Sequence, residues 1–239
     1  MLTPENSRAA AVLADLLRVI EGMPVAQALI AESLAYAVLQ GSSEHAAWLE
    51  TRPAAPVHEP GQVLVERTGA SLAITLDRPH AHNAIDRAMR DDLRAAFDIA
   101  ALDPEVCRVI LTATGKAFCA GADLAEFGTT RDPAEAHAIR VATLPAYAIA
   151  ACADRLEVHI KGACIGAGLE MAAFAKHIIA APNAWFQLPE LAMGLIPGAG
   201  GCVSVSRRIG AERTLELVLS GQRIAARTAL DWGLIDAIG

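Results

Sequence analysis

Residues 162–201 read GACIGAGLEMAAFAKHIIAAPNAWFQLPELAMGLIPGAGG, with glycines at the start, middle and end and only two acidic residues, Glu170 and Glu190. A carboxylate set among Gly, Ala, Leu and Met costs free energy unless it is paired, hydrogen-bonded or protonated. The opening Gly162-Ala163-Cys164-Ile165-Gly166-Ala167-Gly168 is too glycine-rich for a helix interior, where each glycine costs about 1 kcal/mol against alanine. It reads as a tight passage from a strand into a helix over about 167–176. Backbone N–H groups left free at such a helix start favour developing negative charge, which makes the passage a candidate oxyanion site with Glu170 in the first turn. Alone, Glu170 reads equally as a dipole-favoured surface residue, and Glu190, behind Pro189, reads more readily as one. Their combination carries the argument.

Working outward, the strand before this stretch alternates Leu156, Val158 and Ile160 with Glu157, His159 and Lys161, giving one apolar and one polar face. Farther upstream, Val63, Val65, Leu72, Ile74 and Leu76 alternate around Gly69-Ala70, a hairpin pattern. Asp86 caps a helix to about residue 102, and residues 106–111 form a buried strand. Asp132 caps a helix begun by Pro133 that runs to about residue 152, interrupted at Pro145. Helices over 198–208, 211–219 and 225–232 follow the opening stretch. Strands alternating with helices define an α/β class.

The first fifty residues differ in character. Asn6 or Ser7 can cap a first helix, Pro24 opens a second that ends at Gly41, and Ser43 caps a short third. The segment 52–61, RPAAPVHEPG, holds three prolines and no periodicity and reads as a linker. The expected organisation is therefore a helical appendage with linker over 1–60 and a core over 61–239.

Composition narrows the function classes. With 54% hydrophobic and 20% charged residues the chain is globular, and its net charge of −7 opposes nucleic-acid binding, which needs clustered Lys and Arg. The apolar run at 9–20 is broken by Asp15 and Arg18 and is too short to span a bilayer, so no membrane partner is expected. Five scattered cysteines without a CxxC pair read as small buried hydrophobes of a reducing, cytoplasmic compartment. No HExxH or clustered Cys/His pattern is present, so no metal is expected. Met171 stands where GxGxxG would need a small residue, which removes a dinucleotide fingerprint. The 197–201 run reads either as an anion nest or as a pocket wall that lets a helix pack closely.

Three ordered runs together resemble the enoyl-CoA hydratase/isomerase (crotonase) superfamily: Leu76-Asp77-Arg78-Pro79 with Asn83-Ala84; Ala117-Phe118-Cys119-Ala120-Gly121-Ala122-Asp123-Leu124; and the opening stretch with Pro189-Glu190 and Pro197-Gly198-Ala199-Gly200-Gly201. The resemblance covers about 62–238. It implies a crotonase-like spiral of repeated ββα units, assembled as a homotrimer or dimer of trimers, acting on an acyl-CoA thioester. Coenzyme A enters as part of the substrate, and no other cofactor is implied. The two oxyanion donors fall on the N–H groups of Ala122 and Ala167. CoA contacts fall on His82, Ala84, Ala120, Asp123 and Leu124.

The two glutamates are spaced as in the family's hydratases. The resemblance assigns the C2 proton to Glu190 and the water added at C3 to Glu170, hence hydration of the 2,3 double bond in fatty-acid metabolism. An isomerase or another CoA-thioester enzyme of the superfamily, or a non-catalytic acyl-CoA-binding subunit, stays open beside it. Two departures stand out: Glu157 and His159 lie on a strand that is apolar in many members, and Ala125 replaces a frequent lysine. Finally, Ala31-Glu32-Ser33-Leu34-Ala35-Tyr36, Ser43-Glu44, Trp48-Leu49 and Arg52-Pro53 resemble the helical tail that in this family follows the run at 233–238. Either the tail is permuted to the front, or these helices are an unrelated extension.

Overall fold

Strand pairing sets the architecture of the computed structural model, which describes residues 7–54 and 56–239. β1 (Gln62–Thr68) and β2 (Ser71–Asp77) form the expected hairpin; β3 (Arg108–Ala113) and β4 (Leu156–Ile160) follow. After β5 (Ala163–Ile165), β6 (His177–Ala180), β7 (Trp185–Gln187), β8 (Ile224–Ala225) and β9 (Ala237–Ile238) complete two sheets. One has the order β1-β2-β3-β4-β6-β9, the other β5-β7-β8. The helices are α1 (Arg8–Val19), α2 (Val25–Gln40), α3 (Ser43–Thr51), α4 (Arg87–Leu102), α5 (Pro133–Thr143), α6 (Ala146–Ala151), α7 (Ala167–Ala172), α8 (Gly201–Ser220) and α9 (Ala226–Trp232).

The sheet order encodes a spiral. Successive strands alternate between the sheets, β4 then β5, β6 then β7, and each turn pairs in parallel with the one before: Ile110 with Glu157 and Glu157 with His177 in the first sheet, Cys164 with Phe186 in the second. Cys119 bridges Cys164, so the segment after β3 extends the second sheet by one more turn. The parallel strands bury their inward faces completely, with Leu72, Ile74, Leu76, Val109, Leu111, Val158 and Ile178 at 2% exposure or less. β1, at the sheet edge, leaves Leu64 and Val65 exposed.

Several local expectations shift by a few residues. Ser7 caps α1 through its Oγ, which accepts the Ala10 N–H (3.0 Å); Asn6, the alternative cap, lies outside the described residues. Ser42, one residue before the expected cap, accepts the His45 N–H (3.2 Å) and starts α3. Asp86 caps α4 by accepting the Met89 N–H at 2.9 Å. Residues 133–151 form two helices because Pro145 has no N–H with which to continue the first. α7 ends at Ala172, four residues early, because the Lys176 N–H is drawn to the carbonyls of Ala153 and Leu156. α8 joins two expected helices across Gly210, whose φ of 82° breaks the ladder.

The helices before residue 52 share the main hydrophobic core: Leu13, Leu16, Leu17, Ala28, Leu29 and Leu39 are buried with the residues of the sheets. Arg207 donates to the Met23 carbonyl (2.5 Å) and the His45 imidazole bonds the Met193 carbonyl (2.9 Å). Arg52 donates to the carbonyls of Leu124 and Phe127. Of the expected linker, Ala55 lies outside the described residues, and the rest has neither helix nor strand.

Candidate active site

The spiral brings three chain segments to one place. Ala122 follows three residues after Cys119, Ala167 three after Cys164, and Glu190 four after Phe186, and those three positions are neighbours across the second sheet. The bends are knit together: the Ile165 N–H donates to the Cys119 carbonyl (2.9 Å), and the Gly166 N–H to the Gln187 carbonyl (3.0 Å). Gly166 adopts φ 47° and ψ −124°, and a Cβ there would lie 2.8 Å from Glu190 Oε1. Only glycine lets the bend turn left-handed and the glutamate come so close.

Neither the Ala122 N–H nor the Ala167 N–H donates to another group among the described residues. Both residues border a cavity of about 920 Å³ that is also lined by Glu170 and Glu190. Its walls come from Leu124, Phe127, Ile139 and Met193 of the core, and from Tyr36, Gln40 and Trp48 of α2 and α3.

The two acids are held differently. Glu170 is 2% exposed, and a single oxygen, Oε2, accepts the N–H groups of Ala199 (2.7 Å) and Gly201 (2.8 Å). Burial pushes its carboxyl up to about 7, with those two hydrogen bonds holding it down. Glu190 is 7% exposed, and its Oε2 is buried with no hydrogen-bond partner among the described residues. Burial first, then the neighbouring Glu170 charge, raise its carboxyl well above the usual carboxylate range. Both carboxyls are thus raised by burial, and the hydrogen bonds from Ala199 and Gly201 that oppose the rise act on Glu170 alone of the two.

The expected CoA contacts divide. Ala120, Asp123 and Leu124 line the cavity, whereas His82 and Ala84 do not. The His82 carbonyl accepts the Ala120 N–H (3.0 Å), and the Ala84 carbonyl accepts Arg78 Nη1 (3.0 Å). The Asp123 carboxylate is engaged too, pairing with the buried Arg78 guanidinium at 2.7 Å. Asn83, fully buried, fastens this loop: its Oδ1 accepts the Arg78 N–H (2.7 Å) and its Nδ2 donates to the carbonyls of Thr114 and Ala117 (both 2.9 Å). His159 stands away from the cavity, bonded to Glu157 (2.6 Å), which also pairs with Arg108 (3.0 Å). The 197–201 run is a nest for the protein's own carboxylates, and Gly198 also lets Tyr36 pack closely, since a Cβ there would lie 2.2 Å from the ring.

Sequence reasoning missed part of the wall. Tyr36, with the Arg140 guanidinium stacked 4.5 Å above its ring, and Trp48 with Phe127 edge-on against it belong to the cavity or its rim. The tail-like run at 31–53 was the available signal. Among the described residues no cluster of His, Cys, Asp and Glu could hold a metal ion, and no helix is long and apolar enough to cross a membrane. Cys119, Cys152, Cys164 and Cys202 are buried, and Cys107 is exposed.

The fold is thus an α/β spiral of two sheets, with two free amides and two buried carboxyls at one cavity among the described residues. The enoyl-CoA hydratase/isomerase family profile matches residues 66–239, and the chain belongs to that family. It is 34% identical over 175 residues to a mevalonyl-coenzyme A hydratase of Beauveria bassiana, covering 70% of this chain and 62% of that one, just under two thirds of the relative. It is 33% identical over 180 residues to the 2,3-dehydroadipyl-CoA hydratase of Escherichia coli, covering 74% and 69%. Among solved structures, the enoyl-CoA hydratase of Thermoplasma volcanium matches with a TM-score of 0.65 and 34% identity over 74% of this chain and 71% of that one.

Proposed function

We propose that the protein hydrates the 2,3 double bond of an enoyl-CoA thioester. The observation that carries this is the convergence, on one cavity, of two unengaged main-chain amides and two buried carboxyls, one held by hydrogen bonds and one with a free oxygen among the described residues. The hydratase names of the relatives support it. The thioester oxygen accepts from the Ala122 and Ala167 N–H groups, which stabilise the charge that gathers on it as the double bond is attacked. Such a donor typically contributes about 3 to 4 kcal/mol to the transition state. Glu170 takes a proton from water as its oxygen bonds C3, and Glu190 delivers a proton to C2. Transfer of one proton between the two acids restores the starting state.

Coenzyme A enters as part of the substrate, with no other cofactor; Ala120, Asp123 and Leu124 offer it main-chain and apolar contacts. We further propose that α2 and α3 act as the cover that the family's tail supplies, in a cytoplasmic homotrimer or dimer of trimers. Solution mass checks the assembly.

The test is the loss of enoyl-thioester absorbance with 2-enoyl-CoA substrates of several acyl lengths. Glu190→Gln and Glu170→Gln should each lower kcat by about 10²- to 10⁴-fold, the usual range for a general acid or base. A parent that turns over none of the substrates overturns the reading. Loss confined to the Glu190 variant, with a shifted double bond as product, replaces it with isomerisation.

A further inference from the structure

Glu32, on α2, is 1% exposed and belongs to neither of the two acids that the chemistry uses. Its Oε1 accepts the Gly200 N–H (2.7 Å) and its Oε2 accepts the Cys202 N–H (2.8 Å). The amides just before each of these, Ala199 and Gly201, both donate to Glu170 Oε2. Four consecutive N–H groups thus alternate between two carboxylates that come from different helices.

The local sequence explains why outside acceptors are needed. Residues 199–202 lead into α8 and form its first positions, where N–H groups have no intrahelical partner, and the N-cap is Gly200, which has no side chain to accept them. Gly200 holds φ 105°, and at Gly201 a Cβ would lie 2.5 Å from Glu170 Cγ. The turn therefore has no cap of its own at Gly200, and its free amides are gripped from outside, by Glu32 and Glu170. Among the described residues only one oxygen of Glu170 is held, and Glu170 borders the cavity. How the carboxyl faces the cavity is thus set by the two peptide units that the turn aims at it.

We propose that Glu32 is a positioning residue for Glu170: by clamping the Gly200 and Cys202 amides it fixes the turn whose alternate amides orient the Glu170 carboxyl. The helices ahead of the core are thereby a working part of the active site. This rests on the hydratase reading for its kinetic consequence, but the geometry can be read without turnover.

Glu32→Gln keeps the size and leaves one amide facing a side-chain N–H₂ instead of an oxygen. In the full chain, kcat should fall at least about 30-fold with KM within about 3-fold, the pattern of an interaction needed in the transition state. Glu32→Gln with Glu170→Gln should match Glu170→Gln alone within about 3-fold, because a residue acting only through another adds nothing once that partner is gone. Losses that multiply, or a Glu32→Gln enzyme within about 3-fold of the parent, overturn the proposal. Thermal melting controls for folding, and Glu32→Asp, too short to reach both amides, enters the same cycle should the Gln variant not fold.

Infrared difference spectra supply a readout independent of activity. The carboxyl band lost in Glu170→Gln should move in frequency when Glu32 is replaced. An unmoved band overturns the proposal even if no enoyl-CoA is turned over, so its failure is distinct from failure of the hydratase reading.

Discussion

Replacing Glu170 with Gln should make the protein more stable at pH 8 and leave it nearly unchanged at pH 5. The carboxyl is raised from 4.5 to about 7 by burial, so between those values the folded state holds a proton that the unfolded state has released. Its contribution to stability is full below about 4.5 and is lost as the pH rises through about 7. That interval corresponds to about 3 kcal/mol. Gln can present one oxygen to the Ala199 and Gly201 amides, as Glu170 does with Oε2, so the variant keeps the bonding and loses only the titration. Glu32 and Glu190 are also raised, by burial first and then by the Glu170 charge, so removing that charge lowers both and adds to the gain at high pH in the same direction.

Urea unfolding followed by circular dichroism at pH 5, 6, 7 and 8 gives that difference directly. It should be under about 1 kcal/mol at pH 5 and approach about 3 kcal/mol in favour of the variant at pH 8, with equal m-values. A difference that does not change with pH, or a variant less stable than the parent at pH 8, would refute the claim that ionised Glu170 is held at a cost.

Other perturbations probe the supports of the site. Gly166→Ala forces a β-carbon onto a left-handed bend 2.8 Å from Glu190 Oε1 and should cut kcat about 100-fold while the circular dichroism spectrum stays native. Asn83→Ala leaves one buried N–H and two carbonyls without their side-chain partner, and should lower unfolding free energy by about 3 kcal/mol or more in urea. Leu13→Ala, in α1 but inside the common core, should cost about 2 to 5 kcal/mol in a single transition. An unchanged midpoint for that variant would show that the first helix does not unfold with the rest.

The sequence alone carried the α/β class, the places of most helices, both glutamates and the two glycine bends, because these rest on local chemistry. Caps, proline breaks, strand alternation and the cost of a carboxylate in an apolar run are all readable within a few residues. The family resemblance also drew Glu32, Tyr36 and Trp48 to notice, though without a role. What only the tertiary structure decided depends on register between distant strands. Pairing of Cys119 with Cys164 and of Cys164 with Phe186 brings the two bends and Glu190 to one cavity. The same long-range packing sets His82 and Ala84 outside that cavity and turns Asp123 toward Arg78. It also carries α2 across the start of α8, where Glu32 and Glu170 divide four amides between them. No local pattern specifies such a meeting, because a hydrogen-bond partner far along the chain is chosen by the fold as a whole.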